Sequence, residues 1–117
     1  MSIKVSIDAS GGDFGFPVTI NAGINALIVF DDLLVNFVGD KTGIEKELNN
    51  NSLYPKFSDR IFITHANEVI KMDDSPSEAL RHKKDSSMRV AINLVKNGEA
   101  DACVSAGNTG ALMSIAR

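Results

Sequence analysis

Four short runs of apolar and β-branched residues recur along the chain: IKVSID (3–8), LLVNFVGD (33–40), RIFITHA (60–66) and DACVSAG (101–107). Helix-patterned stretches or turn-rich loops separate them, and this alternation constrains the fold more than any other feature. Strand–helix–strand units close as right-handed crossovers and build a mainly parallel sheet. Such a sheet needs helices over both faces. The expected architecture is an α/β domain with a mainly parallel sheet between helical layers, occupying residues 1–117 as one unit.

Several local signals mark the helices. Pro17 suits a first helical turn, where no N–H donor is needed. Ile20, Ile24, Leu27 and Ile28 share one face and predict a helix from about Pro17 to Phe30. Asp40 is an N-cap for a short polar helix through Leu48. NNNSLYPKFSD has turn composition, and NEVIKMDDSPSEAL reads as a loop with Ser75 or Ser77 as caps around Pro76. Met88, Ala91, Ile92 and Val95 fit the i, i+3, i+4, i+7 template, so a helix spans about Ser86 to Lys96, with Gly98 as its stop. Asn108 opens the last helix.

Charge and cysteine usage remove several functions. The net charge is −3 and no long Lys/Arg run is present, which speaks against nucleic acid as a partner. Arg81, His82, Lys83 and Lys84 are followed at once by Asp85 and read as a solvated helix end. Cys103 is the only cysteine, which excludes an intrachain disulfide, and its apolar neighbours predict a small buried side chain. His65 and His82 share no ligand spacing with other His or Cys residues, so no metal site and no cofactor are predicted. No cationic leader or bilayer-length apolar run is visible, and a cytoplasmic location is expected.

Ligands of parallel sheets bind beyond the carboxyl ends of the strands. ASGGDFGF, THANEVI and SAGNTGA all fall at such ends, gathering three loops on one rim. In SAGNTGA a strand gives way to a helix whose first N–H groups lack partners and carry partial positive charge. Two readings of Gly107 and Gly110 stand side by side. Either the glycines permit a tight turn capped by Asn108 or Thr109, or they admit a phosphate or carbonyl oxyanion to the bare backbone, with Ser105, Asn108 and Thr109 as added donors. Neither glycine loop has the Lys-Ser/Thr ending of a Walker A loop, and the full G-x-G-x-x-G pattern is absent. Asp8 and Asp13 are available to organise the first loop, orient a donor or take a proton.

Taken together, IDASGGDFGF, FVGD and HANEVIKMDDSPSEALRHKKDSSMRVAINLVKNGEADACVSAGNTGALM resemble the amino-terminal part of the bacterial phosphate acyltransferases of phospholipid synthesis, the PlsX family. The resemblance is weakest from Lys41 to Ser58 and strongest from Lys83 to Met113. It implies a Rossmann-like, three-layer αβα fold akin to the isocitrate and isopropylmalate dehydrogenases. It also implies transfer of a fatty acyl group from acyl carrier protein to inorganic phosphate, giving acyl phosphate without a cofactor. Members of that family resemble homodimers that associate peripherally with the inner membrane face.

On this reading Gly107, Asn108, Thr109 and Gly110, with Ser105, hold phosphate or the acyl-phosphate head. Asn108 and Lys84 are the catalytic candidates, and Asp8, Gly11, Gly12 and Asp13 shape the opposite wall. Two other functions remain open: a phosphotransacetylase-like transfer from acyl-coenzyme A, and a non-catalytic piece that binds an anion or carrier protein. The chain departs from the family in having Ser10 and Phe16 where Met and Pro are usual, which touches acyl specificity. It also stops at Arg117, inside a helix, and resembles the amino-terminal portion of a longer enzyme. An incomplete parallel sheet of this kind is expected to be marginal, sticky or oligomeric.

Overall fold

A computed structural model describes residues 2–11 and 15–116. Strand β1 (Ile3–Asp8) leads to helix α1 (Phe16–Val29), β2 (Leu33–Gly39) and α2 (Lys41–Asn49). A short helix α3 (Tyr54–Phe57) and a 3₁₀ turn at Ser58–Arg60 precede β3 (Ile61–His65). Helices α4 (Pro76–His82) and α5 (Ser87–Lys96) then lead to β4 (Ala102–Val104) and α6 (Thr109–Ala116). The four strands form one parallel sheet in the order β3-β2-β1-β4. Registers pair Asp8 with Val38, Gly39 with His65 and Ile7 with Val104, so the carboxyl ends of all four strands lie along one rim.

The two faces of the sheet are built differently. On one, Ile20, Ile24 and Leu27 of α1 pack with Val35 and Phe37 of β2 and with Ile44 and Leu48 of α2. On the other, Met88 and Ile92 of α5 join Ile70, Ala79, Ala111 and Ile115, while Val38 and Ala66 meet Ala91. Successive strand side chains point to opposite faces. In β1 this sends Val5 and Ile7 toward α1, and Ser6 and Asp8 toward α5. The alternation would ordinarily read as apolar-in and polar-out. Here the polar residues are the more deeply buried: Ser6 is 0% and Asp8 2% exposed, whereas Ile3 is 45% exposed. Ser6 is accommodated because its hydroxyl donates to the Ala91 carbonyl of α5 at 2.8 Å.

Some sequence expectations need correction. Ile28 is half exposed rather than core, since α1 turns its last residues away from the sheet. The 67–80 stretch is not all loop, because α4 forms from Pro76; Ser75 precedes it without a side-chain capping bond. β4 is shorter than DACVSAG suggested: Asp101 pairs with Lys4 and the strand ends at Val104, after which Ser105 turns toward Asp8. Phe57, in the stretch expected to ride on the surface, is buried in the α1/α2 core. Phe16 has its own packing role, because a side chain at Gly43 would come within 2.3 Å of its ring.

Candidate anion-binding site

The rim is organised around one carboxylate. Asp8 ends β1 facing α5, and its two oxygens are claimed by two serines. Ser87 donates to Oδ1 at 2.5 Å and Ser105 to Oδ2 at 2.8 Å. The Ser105 hydroxyl oxygen in turn accepts the Gly107 N–H at 3.1 Å. Gly11 closes the arrangement from the first glycine loop. A Cβ there would lie 2.5 Å from Asp8 Oδ2 and 3.2 Å from the Gly107 nitrogen, so only glycine lets the two loops meet. A buried carboxylate is costly unless hydrogen-bonded, and the serines supply those bonds. Asp8 and Gly11, expected on the opposite wall, are in direct contact with Ser105 and Gly107; Gly12 and Asp13 lie outside the described residues.

Asn108 is 7% exposed and its side chain is fully engaged. Its amide nitrogen donates to the carbonyls of Asp74 (2.7 Å), Lys71 (3.1 Å) and Met72 (3.3 Å), and its oxygen accepts the Ala111 N–H at 3.1 Å. It therefore caps α6 and staples the 71–74 loop to that helix, so the capping role read from the sequence is realised. Gly110 allows α6 to approach α4, since a Cβ there would sit 2.7 Å from Pro76 Cγ. The donors that remain are backbone: among the described residues, the N–H groups of Asn108, Thr109 and Gly110 have no hydrogen-bond partner. Thr109 is exposed beside them.

The two adjacent lysines of the α4–α5 turn differ. Lys83 is pinned, its ammonium donating to Asp74 at 2.5 Å and to the Val69 carbonyl at 3.0 Å. That hydrogen bond, followed by the Lys71 N–H, lowers the Asp74 carboxyl below its ordinary value of 3.8. Lys84 is exposed and makes no side-chain bond among the described residues. Cys103 is half-buried; burial pushes its thiol up, the Asp8 charge adds to this, and a Ser6 hydrogen bond opposes it. A thiol held in its neutral form is a poor nucleophile. No group of three or more His, Cys, Asp or Glu side chains is placed to hold a metal among the described residues.

Sequence reasoning missed Ser87 and the carbonyls of Lys71, Met72 and Asp74. The signal for Ser87 was the polar face of β1: if α5 crosses that face, Asp8 needs a buried donor, and DSSM supplies serines at the helix start. Beside the polar rim, a cavity of about 410 Å³ opens along the α1 face of the sheet. Val5, Ile7, Ala22, Ala26, Phe30 and Val104 line it, and it reaches Asp8 and Ala106 at the rim. No helix among the described residues is long and apolar enough to cross a membrane.

Comparison with known proteins gives one consistent result. A family model described as "Fatty acid synthesis protein" matches residues 3–117. A phosphate acyltransferase of Ruthia magnifica subsp. Calyptogena magnifica is 65% identical over the whole chain, and one of Vesicomyosocius okutanii subsp. Calyptogena okutanii is 62% identical. A phosphate acyltransferase of Hydrogenovibrio crunogenus is 52% identical, again over the full chain. The chain spans 34% of the length of each of these three relatives.

Proposed function

The chain belongs to the fatty acid synthesis protein family, and from that membership we propose that it forms the phosphate-holding part of an acyltransferase making acyl phosphate from acyl-carrier-protein thioesters and inorganic phosphate. One observation carries the reading: three N–H groups at the first turn of α6 with no partner among the described residues, beside Gly107 and Gly110, on the rim where parallel sheets take ligands. An oxygen of phosphate attacks the thioester carbonyl, a tetrahedral oxyanion forms, and its collapse breaks the C–S bond and releases the carrier thiol. No protein nucleophile is required, in keeping with the neutral Cys103. The protein's task is to hold two anionic partners in line and to stabilise the oxyanion, where one donor is worth about 3–4 kcal/mol of barrier.

In this mechanism the backbone of Asn108, Thr109 and Gly110 receives the phosphate, and the Asn108 side chain fixes the turn that presents them. Lys84, exposed and without a side-chain bond among the described residues, supplies positive charge to the incoming anions. Asp8 and Gly11 form the back wall. The protein works as a cytoplasmic homodimer resting against the inner membrane face. The half-exposed Phe30 and Val104 support self-association.

Mixing the protein with long-chain acyl carrier protein and phosphate, and trapping the product with hydroxylamine, tests the reaction. Phosphate-dependent acyl hydroxamate is expected. Product from acyl-coenzyme A but not from the carrier-protein thioester would replace this reading with the phosphotransacetylase-like one. Phosphate binding without either product would leave a non-catalytic binding unit.

A further inference from the structure

Ser87 stands outside every glycine loop, yet it touches the residue on which both loops meet. It is the first residue of α5, 1% exposed, and its hydroxyl donates to Asp8 Oδ1. The partners are 79 positions apart in sequence, and the Asp8–Ser105 contact spans 97. A continuous series of bonds therefore runs from α5 through Ser87, Asp8 and Ser105 to the Gly107 N–H, at the threshold of the α6 turn. The start of α5 is largely closed: the Ser86 N–H donates to the Lys83 carbonyl, the Ser87 N–H to the Glu68 carbonyl, and the Arg89 N–H to the Ser86 hydroxyl, leaving the Met88 N–H without a partner among the described residues. Ser87 is thus held rigidly and its hydroxyl has one use.

Asp8 presents a problem to any phosphate at the α6 turn, because a carboxylate a few ångströms behind the cradle repels it. Occupying both carboxylate oxygens with hydroxyl donors fixes their position and spreads their charge into two short hydrogen bonds. We propose that Ser87 is a positioning residue for anion recognition, holding Asp8 by Oδ1 and drawing on its charge so that the α6 turn accepts phosphate. The proposal rests on the phosphate-holding role argued above.

The test is calorimetric titration of inorganic phosphate into this chain and its Ser87→Ala, Asp8→Asn and double variants, with a thermal melt of each. Ser87→Ala is expected to weaken phosphate binding about tenfold, the scale of one lost hydrogen bond to a charged group. Adding Asp8→Asn to Ser87→Ala removes the uncapped charge and is expected to recover most of that loss. A merely structural serine would instead give a double variant weaker than either single one, and that result overturns the proposal. Unchanged affinity in Ser87→Ala overturns it as well.

If Ser87→Ala does not melt cooperatively, Ser87→Cys replaces it, keeping the volume while supplying only a weak donor. The same weakening is expected there, and wild-type affinity would overturn the proposal. Absence of phosphate binding by the unsubstituted chain would defeat the proposed function itself. The coupling is then still read from the Gly107 amide resonance of the phosphate-free chain. A Ser87→Ala shift at Gly107 upholds the Ser87–Asp8–Ser105 relay, and no shift overturns it.

Discussion

Helices α5 and α6 begin on the same rim and differ in what meets their first turns. At α5 the protein supplies its own partners: Ser86 caps the helix, Glu68 receives the Ser87 N–H, and the Asp8 carboxylate sits against the Ser87 hydroxyl. At α6 only the Ala111 N–H is capped, by Asn108, and the N–H groups of Asn108, Thr109 and Gly110 are left without partners among the described residues. Both ends carry the same partial positive charge. One is neutralised internally by a carboxylate placed at the end of β1, and the other stands open beside two glycines. The lesson concerns how a protein reserves an anion site: it fills the neighbouring helix end with its own acid and holds that acid still.

The largest break in this comparison comes from Asp8→Ala. It strands the buried hydroxyls of Ser87 and Ser105, and a loss of about 3 kcal/mol of stability is expected by chemical denaturation, from two buried donors left unpaired. Asn108→Ala attacks the open end instead. It removes the α6 cap and leaves three loop carbonyls without their donor, for an expected loss of about 2 kcal/mol, with phosphate binding by calorimetry lost or severely weakened. Equal stability in wild type and Asn108→Ala would contradict the stapling of the 71–74 loop.

These two effects also mark how far the sequence could be read. The parallel sheet, the rim and the glycine loops were legible because strand alternation, Pro17, Asp40 and the Met88–Ile92 face act locally. The Asp8 cluster was legible only in part. Gly11 and Gly107 announce tight backbone, but that they touch each other across Asp8 depends on two crossovers. Ser87 was hidden because a serine beside an N-cap has an adequate local explanation. Asn108 was one of two candidate caps, while its three carbonyl partners come from a loop 34 to 37 positions away, which no local pattern specifies. The turn before β3 concealed α3 for a related reason: its polar composition outweighed one buried phenylalanine.

A smaller effect separates the paired lysines. Lys83→Met should loosen the 71–74 loop, visible as faster amide exchange at Asp74, with phosphate affinity falling as a consequence. Lys84→Met should leave stability within about 0.5 kcal/mol, as for an exposed unpaired side chain, while lowering phosphate affinity a few-fold through lost charge. An unchanged affinity in Lys84→Met would remove Lys84 from the mechanism.

The smallest expected effect is a pH dependence. Asp74 has a lowered folded-state pKa, so its contribution to loop stability is complete above its unfolded value near 3.8 and is lost as pH falls through the lowered value. Amide exchange in the 71–74 loop should therefore be insensitive to Asp74 at neutral pH, apart from the intrinsic exchange chemistry, and rise above that baseline only in acid below that range. Loosening of the loop at pH 5 to 6 would assign its stability to another group.

The most direct measurement is a phosphate titration of the unsubstituted chain followed at every backbone amide by nitrogen–proton correlation spectroscopy. The account predicts saturable shifts centred on Asn108, Thr109 and Gly110, with the α5 amides of Ser87 and Arg89 unmoved because their partners are internal. Shifts at the start of α5 with none at the start of α6, or no saturable shift at either, would contradict it.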